Sequence, residues 1–136
     1  TIVYGAKLPT RGTEDAAGFD LYAFEDTSIY EFGEAPCPLS VRTGVKFQIP
    51  HGWVGLIRDR SGMAKKGIFT VAGVIDSDFR GEVKVLMYNS AAGTYKIKAG
   101  DRIAQIIFIP YFMGELIEGA VSPTKRGEQG FGSTGQ

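Results

Sequence analysis

Apolar residues in this chain gather into short β-branched and aromatic runs, and almost no window keeps the spacing an amphipathic helix needs. The runs are bounded by Gly, Pro, Asp or Asn. Val41 to Ile49 alternates in part and stops at Pro50-His51-Gly52, a turn signal. Trp53 to Ile57 resumes as a strand, with Trp53 expected in the core. Ile68 to Val71 and Val74-Ile75 flank Ala72-Gly73. Glu82 to Tyr88 follows, then Tyr95 to Ile97 and Ile103 to Ile109, with Ala99-Gly100-Asp101 between them. Ser61 to Lys66 is the one candidate helical turn. The 19 glycines spread among so many short strands call for tight turns and bends. The fold class expected is all-β, a sandwich or barrel of the jelly-roll kind, in one domain with no internal repeat.

Composition bounds the chemistry. With 136 residues and 43% hydrophobic content, the chain can bury a sizeable core unaided. Lys plus Arg and Asp plus Glu both number 15. That balance argues against direct nucleic-acid binding, which needs a basic face. It leaves room for a local anion site. Cys37 is the only cysteine and His51 the only histidine, so no intrachain disulfide and no zinc cluster can form. The longest strongly apolar run, Ile103 to Met113, is too short to span a bilayer. No signal-peptide pattern is seen, and a soluble intracellular protein without membrane partners is expected.

Several local patterns carry chemistry. Arg60-Ser61-Gly62 joins a forked cation to residues that let backbone approach a phosphate. An ordinary helix N-cap explains the same Ser61. Gly73-Val-Ile-Asp-Ser-Asp-Phe-Arg-Gly81 places Asp76 and Asp78 around a turn, where one carboxylate could serve as a general base. A polar hairpin tip explains the pair equally, although Phe79 is unusual at such a tip. Asp20 lies in Ala17-Gly-Phe-Asp-Leu21, where a plain surface position is the simple reading. Gln105 sits in an otherwise apolar run, which is costly if it is buried without partners. Gly130 to Gly135 matches G-x-G-x-x-G, but the flanking strand and helix of a dinucleotide loop are not expected there. Its backbone N–H groups could still cradle phosphate, and a disordered glycine-rich tail explains it as well.

Together and in this order, the patterns resemble the five motifs of the trimeric dUTP pyrophosphatase (dUTPase) family. Ala17–Leu21, Arg60–Ala64, Gly73–Gly81, Gly100–Gln105 and Arg126–Gly135 carry the likeness, from residue 16 to the chain's end. The resemblance implies a β-clip, jelly-roll-like domain over 1–125 and a flexible glycine-rich arm over 126–136. It implies hydrolysis of dUTP to dUMP and pyrophosphate, limiting uracil in DNA and supplying dUMP for dTMP synthesis. Asp76 would be the general base. Phe79 would stack on deoxyribose and reject a 2′-hydroxyl. A hairpin from Thr70 to Asp76, with Gly73, Val74 and Ile75, would read uracil, and Lys84 would add a main-chain contact. Arg60, Ser61, Gly62 and Gln105 would hold the α- and β-phosphates. Arg126, Gly132, Ser133 and Thr134 would close on the γ-phosphate, with Phe131 over uracil. Asp20 would hold Mg2+ through water. The site would be shared among three chains of a homotrimer.

Three departures from the family pattern stand out. Phe79 replaces a frequent Tyr. Asp59 replaces a frequent Pro, which would put an extra negative charge near the phosphates. Gln129 replaces a frequent Gly. The runner-up implied by the fold is a dCTP deaminase with Glu82 as its acid, although relatives of that kind lack the tail motif. A nucleotide-switched regulatory protein is the alternative of another class.

Overall fold

The computed structural model describes residues 1–34 and 37–130. Nine strands and one helical turn follow in order: β1 (Phe19–Tyr22), β2 (Thr27–Ile29), β3 (Leu39–Val45), β4 (Trp53–Arg58), α1 (Ser61–Ala64), β5 (Ile68–Val71), β6 (Val74–Ile75), β7 (Val83–Asn89), β8 (Tyr95–Ile97) and β9 (Arg102–Pro110). The expected all-β class holds. A four-stranded sheet runs β1-β9-β4-β6, a three-stranded sheet runs β3-β7-β5, and β2 pairs with β8. Every one of these strand pairs is antiparallel.

Strand period builds the core. Along β7, Val83, Val85, Met87 and Asn89 are buried while the residues between them are less so. From the other sheets Leu21, Ile57, Ile103 and Ile106 meet them, with Ile29 and Ile97 closing one end. Each such side chain contributes on the order of 1.5–3 kcal/mol on full burial. The buried polar groups are satisfied. Asn89 donates to the carbonyls of Ile29 and Gly93 at 3.3 and 2.7 Å, tying β7 to the end of β2.

The structure corrects three local expectations. The first apolar run leaves its ladder at Val45, after a bulge between Arg42 and Val45, so Phe47 to Ile49 lie outside the strand. Trp53 opens β4 opposite Pro110, at the sheet's margin, and is 41% exposed. The Thr70–Asp76 segment is not a hairpin of two paired strands. β5 pairs with β7, whereas β6 crosses to the other sheet and pairs with β4. Ala72 and Gly73 turn the corner with φ of +60° and +93°. Gly73 is required there: a β-carbon would meet Ile57 Cβ at 2.9 Å. The Ile57 N–H donates to Gly73 O at 2.8 Å and fixes the bend.

After Pro110 the described chain enters no ladder. Phe112, Leu116, Ile117 and Val121 in this stretch are almost wholly exposed. Among the described residues no helix is long and apolar enough to cross a membrane.

Candidate active site

Strand register assembles a polar cleft at one end of the four-stranded sheet. Asp20 on β1 and Arg58 on β4 both lie opposite Gln105 on β9. One residue past Arg58, Asp59 leads the chain into Arg60 and the α1 turn, so Arg60, Ser61 and Gly62 lie beside Asp20 and Gln105. The Gln105 amide donates to Asp59 O at 3.0 Å, which removes the cost of its partial burial. Arg60 Nε donates to Asp20 Oδ1 at 2.9 Å, and its Nη1 donates to Arg102 O at 3.1 Å. Arg102 Nη1 donates to the other oxygen, Oδ2, at 3.2 Å. Two guanidinium groups thus share one carboxylate, and one positive charge is left over. Asp20, Arg60, Ser61, Gly62, Arg102 and Gln105 all line a cleft of about 240 Å³.

Such an arrangement suits a polyanion. Forked donors, a hydroxyl and a bare glycine face one space, and the net charge there is positive. The cleft also suits a hard cation only when the ligand brings oxygens with it. Among the described residues Asp20 is the single carboxylate lining it, and no described group of three His, Cys, Asp or Glu residues could cage a metal.

The remaining predicted residues lie elsewhere. Asp76 follows β6 and is exposed, and its carboxyl is engaged by no described residue. Phe79 closes the same turn, its N–H on Asp76 O at 3.2 Å, and its ring is 43% exposed. Val74 and Ile75 form β6, an edge strand. Thr70 is tied down: its N–H and its hydroxyl both bond Asp59 Oδ1 at 2.6 Å. Lys84 projects from β7 opposite Arg42, exposed. Arg126 is exposed and donates to Gln129 O at 2.8 Å. None of these lines the cleft. Phe131, Gly132, Ser133 and Thr134 lie outside the described residues.

Arg102 went unassigned in the sequence, although it stands within the Gly100–Gln105 pattern. It is three residues from Gln105, the wrong parity for a shared strand face. A register shift between Leu21 and Tyr22 brings it to Asp20 all the same. Asp59 bonds Thr70, so its charge is directed into the fold. Glu82 is likewise committed. It accepts from Arg42 Nε and Nη2 and from the Gly44 N–H at 2.9 Å. Burial works to raise its pKa, but these donors and the nearby cations hold it below the ordinary value. It is not a spare acid for deamination.

The fold and the cleft define a class: a small antiparallel β protein with a positively charged polar cleft at the sheet's end. Comparison with known proteins narrows it. The family model described as dUTPase matches residues 5–135. The deoxyuridine 5'-triphosphate nucleotidohydrolase of Paramecium bursaria Chlorella virus 1 is 43% identical over 136 residues, covering 98% of this chain and 94% of the relative. That of Candida albicans is 43% identical, covering 96% and 82%. A dUTPase mutant of Staphylococcus bacteriophage 80alpha bound to dUpNHpp superposes with a TM-score of 0.88 at 27% identity, covering 99% of this chain and 95% of that one. A mutant dUTPase of phage phi11 of S. aureus, described with a structural Mg(II) ion, superposes at 0.78 with 26% identity, covering 87% and 92%. The chain belongs to the dUTPase family, and it is a hydrolase of that family.

Proposed function

We propose that the chain hydrolyses dUTP to dUMP and pyrophosphate by in-line attack of water on the α-phosphorus. The observation that carries the reading is the convergence of Arg60, Ser61, Gly62, Arg102 and Gln105 around Asp20 in one cleft. A triphosphate carries about four negative charges, so charge stabilisation and positioning must supply most of the catalysis. Arg60 and the Ser61-Gly62 backbone take the α- and β-phosphates with Gln105.

Asp76 is the general base, because its carboxyl is exposed and unengaged among the described residues. Phe79, on the same turn, stacks on deoxyribose and closes out a 2′-hydroxyl. The outer edge of β6 offers the main-chain N–H and C=O groups of Val74 for uracil, with Gly73 and Ile75 on either side of it. Thr70, locked to Asp59, holds one side of that bend. Lys84 adds its main-chain contact from β7.

Mg2+ fits as an ion held mainly by phosphate oxygens and water, with Asp20 accepting from those waters. Each Asp20 oxygen has one guanidinium partner and keeps acceptor capacity for another donor. When bound, the metal offsets part of the triphosphate's charge.

The site is shared in a homotrimer of threefold symmetry. In one chain the Asp76 turn and Arg126 lie outside the phosphate cleft, and the exposed apolar residues after Pro110 need cover. Residues 1–125 form the body. Residues 126–136 form an arm that closes over the substrate, with Arg126, Gly132, Ser133 and Thr134 on the γ-phosphate and Phe131 over uracil. In the cell the reaction would keep uracil out of DNA and feed dTMP synthesis.

Pyrophosphate release from dUTP, UTP, dTTP and dCTP, measured side by side with magnesium, tests the reading. Rapid release from dUTP alone is expected. A folded protein that releases none from any of the four would overturn it.

A further inference from the structure

We propose that Arg102 is a second phosphate-binding guanidinium of the cleft, and that Asp20 makes its release, and that of Arg60, depend on the metal. The inference rests on the triphosphate chemistry proposed above. Arg102 lines the cleft together with Ser61, Gly62 and Gln105. Its side chain is 50% exposed, and only one nitrogen of its fork is engaged among the described residues, at 3.2 Å from Asp20. The remaining N–H donors are available to an anion.

Asp20 presents to the two arginines what a phosphate would present: two oxygens, each taking one guanidinium. A phosphate entering the cleft therefore competes with Asp20 for the same donors. Arg60 is held at two points, Asp20 and Arg102 O, and is 25% exposed. Arg102 is held at one and is more exposed, so it turns more cheaply. Asp20 itself is 13% exposed. Stripping its cations would leave a mostly buried charge unpaired, which is strongly unfavourable. Waters on a divalent cation supply replacement donors. Metal and phosphate thus enter as a pair, and Asp20 penalises phosphate that arrives without metal.

The test titrates the non-hydrolysable dUpNHpp, and separately inorganic pyrophosphate, into the full chain, in magnesium and in chelator. Arg102→Gln is expected to weaken binding in magnesium roughly tenfold, the scale of one charge-assisted hydrogen bond, and to change binding in chelator little. Arg102→Lys, which keeps the charge and loses the fork, falls between parent and Arg102→Gln. Asp20→Asn is expected to tighten binding in chelator roughly tenfold and to shrink the magnesium effect. Thermal melts confirm that each variant is folded. Unchanged affinity of Arg102→Gln in both conditions would overturn the proposal, as would Asp20→Asn binding more weakly in chelator. If dUpNHpp fails to bind while pyrophosphate shows the expected pattern, the dUTP reading falls and this one stands. If neither ligand binds the parent, this one falls.

Discussion

A β-carbon on Gly18 would lie 2.5 Å from Oε1 of Gln105 and 3.2 Å from its Cδ. The Gln105 amide thus rests against bare backbone where β1 begins, and that contact aims its other end at Asp59 O. Gly18→Ala is expected to push the amide out of the cleft and to lower kcat/KM roughly tenfold or more. Gln105→Ala should cost about as much, and the double variant little more than either alone. Additive losses in that cycle would show that Gly18 acts by another route.

Asp76→Asn keeps the turn's shape and removes the base. Hydrolysis should fall by about 10²–10⁴-fold while dUpNHpp affinity stays within roughly threefold of the parent. Near-normal turnover would take the general base away from Asp76.

Asp59 gives predictions of opposite sign for two roles. If its charge repelled phosphate, Asp59→Asn would lower KM. The two 2.6 Å bonds from Thr70 instead predict no gain in affinity and a loss of stability of roughly 1–2 kcal/mol, read by chemical denaturation.

Glu82 supplies a pH signature. Its folded pKa is depressed, so its contribution to stability is fully present above the unfolded value of about 4.3. That contribution is lost as pH falls through the lower, folded value. Its side chain is 16% exposed, so solvent screens it little. Glu82→Gln should destabilise by about 1–3 kcal/mol at neutral pH and flatten the acid limb of the stability profile. An unchanged acid limb would show that another carboxylate governs it.

Deleting residues 126–136 should lower kcat/KM at least roughly tenfold. The melting temperature should move by only about two degrees, because no ladder includes the arm's described part, residues 126–130. Full activity without the arm would end its role as a lid.

The all-β class was legible because apolar runs too short for helices leave few other folds. Asp20, Arg60, Ser61, Gly62 and Gln105 were legible as a set through family likeness, and the register of β1, β4 and β9 brings them to one cleft. Arg102 was not, because a bulge overrides strand parity and no periodicity reports a bulge. Trp53 misled because a large apolar ring reads as core, while its place opposite Pro110 at a strand end was a matter of topology. The pairing of Asp59 with Thr70 joins residues 11 apart across the α1 turn, a distance that propensity does not reach.

The crossing at Ala72-Gly73 carries one more consequence. No ladder hydrogen bond joins β5 to β6, so the mouth of the proposed base pocket is a seam between two sheets. Its width follows from how those sheets stack, with Ile57 of β4 bonded directly alongside Gly73. The proposed pocket therefore borrows its shape from the interior, through buried residues such as Ile57, which is only 5% exposed.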